Sequence, residues 1–254
     1  MKELKTAIYS ARQAGRILLK HYGKVSHEYK ADKSFVTRAD REAEQKIKEI
    51  LMKKFPNHSF LGEETGSHGK SDYVWVVDPL DGTTNFIMMN PFFNTSIALF
   101  HNNKPILGVV YNPLTKEMFY AQHGKGAFLN NTRIHISNRA NFEETILTFC
   151  HNKDKNNISR FLKTYSTIKP VNHNIRQLGA AALELCYVAA GRIDAFFMFG
   201  ANPWDVGAGS VIAREAGAKV TDFENREFSL SSHDIIATNP ELLGKLLAVI
   251  NKFK

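Results

Sequence analysis

Tyr73-Val74-Trp75-Val76-Val77-Asp78-Pro79-Leu80-Asp81-Gly82-Thr83-Thr84-Asn85 joins a short apolar run to a cluster of acids. The run 73–77, bounded by Asp72 and by Asp78-Pro79, reads as a buried strand. Pro79 lacks an N–H and fixes φ, so strand geometry is expected to stop at Asp78. Asp81-Gly82 then turns the chain, and Thr83-Thr84 opens a helical turn with free N–H groups. Two carboxylates three residues apart thereby reach one point with amide donors beside them. Carboxylate oxygens are hard ligands that suit Mg²⁺ or Mn²⁺, and N–H groups at a helix start suit phosphate. The blander account is that Asp-Gly after a strand is a plain turn.

Outward from this stretch the hydrophobic period changes. Leu4, Ile8, Ala11, Gly15 and Leu18 fall on one helical face over residues 4–22, which ends at Gly23. A second helix is expected from near Thr37 to Phe55, with Ala43, Ile47, Ile50 and Leu51 inward and Pro56-Asn57 as its stop. Residues 27–34, polar and aperiodic, read as a loop. Three further strands are expected between Asn94 and Phe128, with turns at Asn102-Asn103 and at residues 112–115. Residues 156–168 are weakly helical and 177–190 strongly so, the latter ending at Gly191. A strand over 193–199 precedes a helix over 204–216 closed by Gly217. No repeat or linker interrupts the chain, which reads as one unit over 1–254 with two halves meeting near residue 140.

With 43 % hydrophobic and 23 % charged residues, the composition is that of a globular domain and excludes disordered, collagenous and coiled-coil readings. No apolar run is long enough to cross a membrane, and the charged first 20 residues lack the core of a signal peptide. Cys150 and Cys186 lie in apolar surroundings and read as reduced core residues of a cytoplasmic protein. The net charge is +8, but Lys and Arg are scattered and the longest cluster is Lys53-Lys54. Without a basic stripe interleaved with aromatics, nucleic acid is not an expected partner, whereas a small anionic substrate fits.

Several motifs fail on inspection. Gly69-Lys70-Ser71 resembles the end of a P-loop, but Glu64 stands where the first Gly is required and a strand follows in place of a helix. Gly207-Ala208-Gly209 lies inside an expected helix, with Ile212 in place of the third Gly of a dinucleotide fingerprint. No H-E-x-x-H, zinc-spaced Cys pair or G-x-S-x-G elbow is present. What remains is acidic: Gly62-Glu63-Glu64, the segment 78–85, and Asn202-Pro203-Trp204-Asp205, where Asn202 can cap a helix. Each alone can be structural.

Together they resemble the inositol monophosphatase family. Phe60-Leu61-Gly62-Glu63-Glu64 is similar to its GEE element, and residues 75–86 to its W-x-x-D-P-[IL]-D-G-T-x-N-[FY] signature. Trp204-Asp205-Val206-Gly207-Ala208-Gly209 resembles W-D-x-x-A-G, Phe35-Val36-Thr37-Arg38-Ala39-Asp40 the upstream V-T-x-x-D, and residues 176–181 the R-x-x-G-[STA]-A segment. The resemblance implies an α+β fold layered αβαβα, of the inositol monophosphatase and fructose-1,6-bisphosphatase type. It also implies Mg²⁺ dependence with two or three ions per site, Li⁺ sensitivity and a homodimer. By position, Glu63, Asp78, Asp81 and Asp205 would bind metal through side chains and Leu80 through its carbonyl. Glu63 and Thr83, the latter held by Asp40, would be the catalytic residues that orient the attacking water. Asp81, Gly82, Thr83, Gly179, Ala180, Ala181, Met198 and Asp205 would meet the substrate, a small phosphorylated polyol or sugar. Four converging carboxylates carry about −4, and unit charges 4 Å apart repel by roughly 4 kcal/mol at an effective dielectric of 20, so counter-charge is required.

One position departs from the family pattern. Inositol-specific members carry Glu seven residues before the W-D aspartate, and here that residue is Met198, whose thioether is a poor acceptor for a polyol hydroxyl. The expected activity is therefore inositol-1-phosphate hydrolysis, with fructose-1,6-bisphosphate or dual specificity as the alternative. An RNA- or transcription-associated binding role is the alternative of a different class.

Overall fold

The computed structural model describes residues 2–24, 27–29 and 35–252. Its centre is an eight-stranded sheet ordered β10-β9-β8-β7-β6-β5-β3-β4. The strands are β3 (Ser59–Gly62), β4 (Gly66–His68), β5 (Tyr73–Asp81), β6 (Asn94–His101), β7 (Lys104–Asn112), β8 (Glu117–Gln122), β9 (Ala127–Leu129) and β10 (Thr132–Ile134). All neighbours pair antiparallel except β3 and β5, which run parallel. A second sheet ordered β12-β11-β13-β15-β14 is built from β11 (Leu147–His151), β12 (Ile175–Arg176), β13 (Ala195–Phe199), β14 (Lys219–Thr221) and β15 (Asp234–Thr238).

Helices fill three layers around these sheets. α1 (Lys2–His21) and α2 (Arg38–Lys54) cover the outer face of the large sheet through Ala7, Ala11, Ala14, Leu18, Ala43, Ile47 and Leu51. α5 (Ala181–Ala189) and α6 (Pro203–Glu215) lie between the sheets, buried on almost every side, as their near-continuous apolar sequences require. α4 (Lys155–Ile168) and α7 (Pro240–Asn251) close the far face of the small sheet over Phe149, Phe161, Phe197 and Leu246. The architecture is the layered αβαβα sandwich. Among the described residues no helix is long and apolar enough to cross a membrane.

Four details differ from the sequence reading. The strand does not end at Asp78: β5 runs on through Pro79 to Asp81, with a bulge between Asp78 and Asp81 before pairing resumes at Asn94. A bulge is where a strand tolerates proline, and the Pro79 carbonyl stays satisfied by the Thr95 hydroxyl at 2.9 Å. Four strands, not three, lie between Asn94 and Leu129, because a turn through the positive-φ residues Gly124 and Gly126 divides β8 from β9. The helix expected over 177–190 starts only at Ala181, since Gly179 is left-handed and Ala180 extended. Within 27–34, β1 (His27–Tyr29) pairs with β2 (Phe35–Thr37), and residues 30–34 lie outside the described residues.

Candidate active site

The bulged end of β5 delivers Asp81 to a cavity of about 690 Å³ between the two sheets. Glu63, Asp81, Gly179, Ala181, Met198 and Asp205 line it. Asp78, Leu80 and Ala180 are buried, and Gly82 and Thr83 are half-buried beside them on the β5–α3 turn. α3 (Thr83–Ile87), α5 and α6 all begin at this cavity, with Thr84, Ala181 and Trp204 in its wall. Helix N-termini carry partial positive charge, so their convergence favours negative charge there.

Each acid is tied down by the fold. Asp81 receives the Ala181 N–H at 3.1 Å, the Ala182 N–H at 2.9 Å and the Asn94 side-chain amide at 2.7 Å. It thus caps α5, whose own N-cap, Ala180, has no side chain able to do so. Asp205, at N3 of α6, accepts from the backbone and side-chain N–H groups of Asn202, both at 3.0 Å, in a capping box. Asp78 accepts the Leu80 N–H at 2.9 Å. Asp40, near the start of α2, accepts from the Thr37 N–H at 2.8 Å and hydroxyl at 2.5 Å. The Thr83 hydroxyl lies 3.4 Å from the other Asp40 oxygen and donates to the Leu80 carbonyl at 3.1 Å. Gly82, at φ 86°, has room for no Cβ: one would lie 3.0 Å from both Ala180 Cβ and the Phe92 carbonyl. This close contact brings the starts of α3 and α5 together.

The acids pay for one another's presence. Burial, then the charges of Glu63, Asp81 and Asp205, push Asp78 well above the usual carboxylate range. Burial raises Asp81 to about 7, against the lowering effect of its Asn94 and Ala182 bonds. Poor hydration of the cavity floor, then the charge of Glu63, takes Asp205 to about 8. Asp40 rises to about 6, chiefly by burial. Among the described residues no three His, Cys, Asp or Glu side chains close into a metal cage. Mg²⁺ does not need one: it keeps several waters and takes one or two carboxylates together with phosphate oxygens. A set of hard oxygen donors whose aspartates are raised by burial and mutual charge for want of counter-charge fits such an ion.

The rest of the wall was not singled out by sequence. Cys150, His151, Asn152 and Lys153 enter from the end of β11, and Gln177 and Leu178 from the segment before α5. Met198 lines the cavity while packing in the core between the sheets, opposite Cys150 in register. Glu184, wholly buried one turn into α5, accepts the Gly179 N–H at 3.0 Å and the Cys150 thiol at 3.2 Å. Burial raises it to about 8. An acid at core spacing in an otherwise apolar helix is the local signal that could have marked it.

Comparison with known proteins bears on the family and the fold. The chain matches the inositol monophosphatase family over residues 1–253. A Neisseria meningitidis protein named putative Nus factor SuhB is 39 % identical, the match covering 98 % of this chain and 97 % of that one. Nus factor SuhB of Vibrio cholerae is 40 % identical over 98 % and 96 %. The crystal structure of extragenic suppressor protein suhB from Bartonella henselae superimposes with a TM-score of 0.93 at 36 % identity, covering 99 % of both chains. Thermotoga maritima IMPase does so at 0.91 and 36 %, over 100 % and 98 %. By sequence along its whole length and by fold, the chain belongs to the inositol monophosphatase family.

Proposed function

We propose that the chain is a Mg²⁺-dependent phosphatase of small polyol or sugar phosphate monoesters, inositol 1-phosphate foremost. The observation that carries the reading is the meeting of Glu63, Asp81 and Asp205 with the starts of three helices at one cavity, with the buried Asp78 close enough to feel all three charges. Glu63, Asp78, Asp81, Asp205 and the Leu80 carbonyl would hold the ions. When bound, the ions supply Lewis-acid activation of water and charge neutralisation at the phosphate. The Gly82 and Thr83 N–H groups, at the start of α3, receive phosphate oxygens. Glu63 and the Thr83 hydroxyl, steadied by Asp40, orient a water for in-line attack on phosphorus. Asp205 stands at the leaving-group side, where the alkoxide departs, and Gly179 to Ala181 leave room for a sugar-like ring.

Met198 bears on the substrate. A polyol hydroxyl placed against the sulfur wall of Met198 and Cys150 loses a buried polar contact worth about 1–3 kcal/mol. The cation of Lys153 at the same cavity favours a second anionic group, the bisphosphate alternative. Phosphate release from inositol 1-phosphate and fructose 1,6-bisphosphate, assayed in parallel with Mg²⁺ and with EDTA, tests both. Mg²⁺-dependent turnover of either supports the phosphatase reading and names the substrate. Turnover of neither, with cation bound, turns the reading toward another ester or a binding role.

A second reading rests on the relatives named Nus factor and on the surface: a role beside the transcription machinery, with or without catalysis. Lys2, Lys5, Lys53 and Lys54 line one groove between α1 and α2, none in an ion pair among the described residues. That cluster, split between two segments distant in sequence, weakens the expectation that nucleic acid is no partner. Salt-dependent retention of single-stranded RNA, lost when these lysines are reversed in charge, would favour it.

A further inference from the structure

Glu63 reaches the cavity from a turn whose geometry is imposed from α2. Its own N–H donates to the Val77 carbonyl at 3.1 Å, which fixes one side of the turn to β5. The other side is held by Glu44, a wholly buried acid four residues after Asp40 on the same helix face. One Glu44 oxygen accepts the Glu64 N–H at 2.9 Å and the other the Thr65 N–H at 2.7 Å. The carboxylate also fills the space above Gly62: a Cβ there would lie 2.5 Å from its carboxyl carbon and 2.6 Å from both oxygens. Gly62 is thus glycine because Glu44 needs the room, and the residue that Glu44 leaves between its two anchors is Glu63.

We propose that Glu44 is a positioning residue that sets where the Glu63 carboxylate stands in the cavity, an inference resting on the phosphatase reading above. Its two charge-assisted bonds lock successive amides just beyond Glu63, so the side chain is aimed before any ligand arrives. One helix then supplies both supports of the site one turn apart: Asp40 for Thr83 and Glu44 for the Glu63 turn.

The test uses full-length protein carrying Glu44→Gln, which keeps the shape but only one acceptor, and Glu44→Asp, which keeps the charge but withdraws it. Mn²⁺ affinity, the Mg²⁺ concentration for half-maximal phosphate release, KM, the melting temperature and hydrogen exchange at the Glu64 and Thr65 amides are measured. We expect Mn²⁺ affinity and Mg²⁺ half-saturation to weaken by about 10–100-fold, as for other groups that orient a metal ligand. KM at saturating Mg²⁺ should change less than about threefold, and the two amides should exchange faster. A lowered melting temperature with unchanged Mg²⁺ half-saturation in either folded variant would overturn the proposal. If wild-type protein neither binds Mn²⁺ nor releases phosphate, the phosphatase reading fails instead. Exchange then decides the positioning role alone, and unchanged protection in Glu44→Gln overturns it.

Discussion

The cavity has two ends built on different principles. At the acid end, the three aspartates are tied to backbone. Asp81 holds the start of α5, Asp205 the start of α6, and Asp78 the bulge of β5. At the other end Met198, Cys150 and Lys153 project from strand β13 and the end of β11, and none of them caps a helix. Removing an aspartate's acceptors at the acid end therefore reaches the frame as well as the proposed chemistry, whereas an isosteric change that keeps an acceptor spares the frame. A change at the sulfur wall bears, on the proposed function, on what is bound, and it leaves the helix caps in place even where it costs core packing. The contrast explains how one family frame persists while position 198 departs from it.

The comparison breaks most decisively at Asp81. Asp81→Asn keeps the shape and one acceptor for α5, so it should fold with a melting temperature within a few degrees of wild type. Phosphate release should fall by about 100-fold or more, the scale of losing one electrostatic group at a reacting centre. Near-normal turnover in that variant would sink the assignment of the acid end.

Cation removal and pH come next. Asp40, Asp78, Asp81 and Asp205 have raised pKa values when folded, so from about pH 4 to 8 the native state holds protons that the unfolded chain has released. Stability of the cation-free protein should therefore fall as pH rises through that window, by several degrees in melting temperature between pH 5 and pH 8. Mg²⁺ should raise the melting temperature more at pH 8 than at pH 5, because it binds the ionised acids. Thermal melts in EDTA and in Mg²⁺ read this out, and equal Mg²⁺ effects at both pH values would speak against it.

Met198→Glu sharpens the contrast from the other side. It should raise kcat/KM on inositol 1-phosphate by about fivefold or more, the value of restoring one buried polar contact. It should also lower stability by about 1–3 kcal/mol, since an acid replaces a core thioether. A fall or no change in kcat/KM would place position 198 outside substrate contact. The smallest effect is expected for Lys153→Ala: about threefold lower kcat/KM on fructose 1,6-bisphosphate, in keeping with an exposed ion pair, and none on inositol 1-phosphate.

The sequence was most legible where a signal is local. The Asn202 cap and the helix beginning after Thr37 are each set by neighbours within a few residues, and the acidic segments that stood out by motif bring Glu63, Asp81 and Asp205 to one cavity. Less legible is what depends on chain segments meeting. Asp81 caps a helix 100 residues away, and Glu44 supports a turn 20 residues on. Neither tie is visible in the local sequence, although Asp81 itself stands out in its motif. Pro79 misled for a related reason: its rule describes one strand, whereas the bulge that admits it is set by pairing with β6. The layered fold itself followed from family resemblance, since periodicity distinguishes strands from helices and not which sheet a strand joins.

The central claim is that the fold forces four acids together, and that burial raises the three aspartates among them so that a cation binds by displacing their protons. Calorimetric titration of Mn²⁺ into cation-free protein at pH 7, repeated in buffers of different ionisation enthalpy, tests it directly. The account predicts tight binding with release of about one proton or more per chain, in line with the raised acids. Absence of binding, or binding with no proton released, would contradict it.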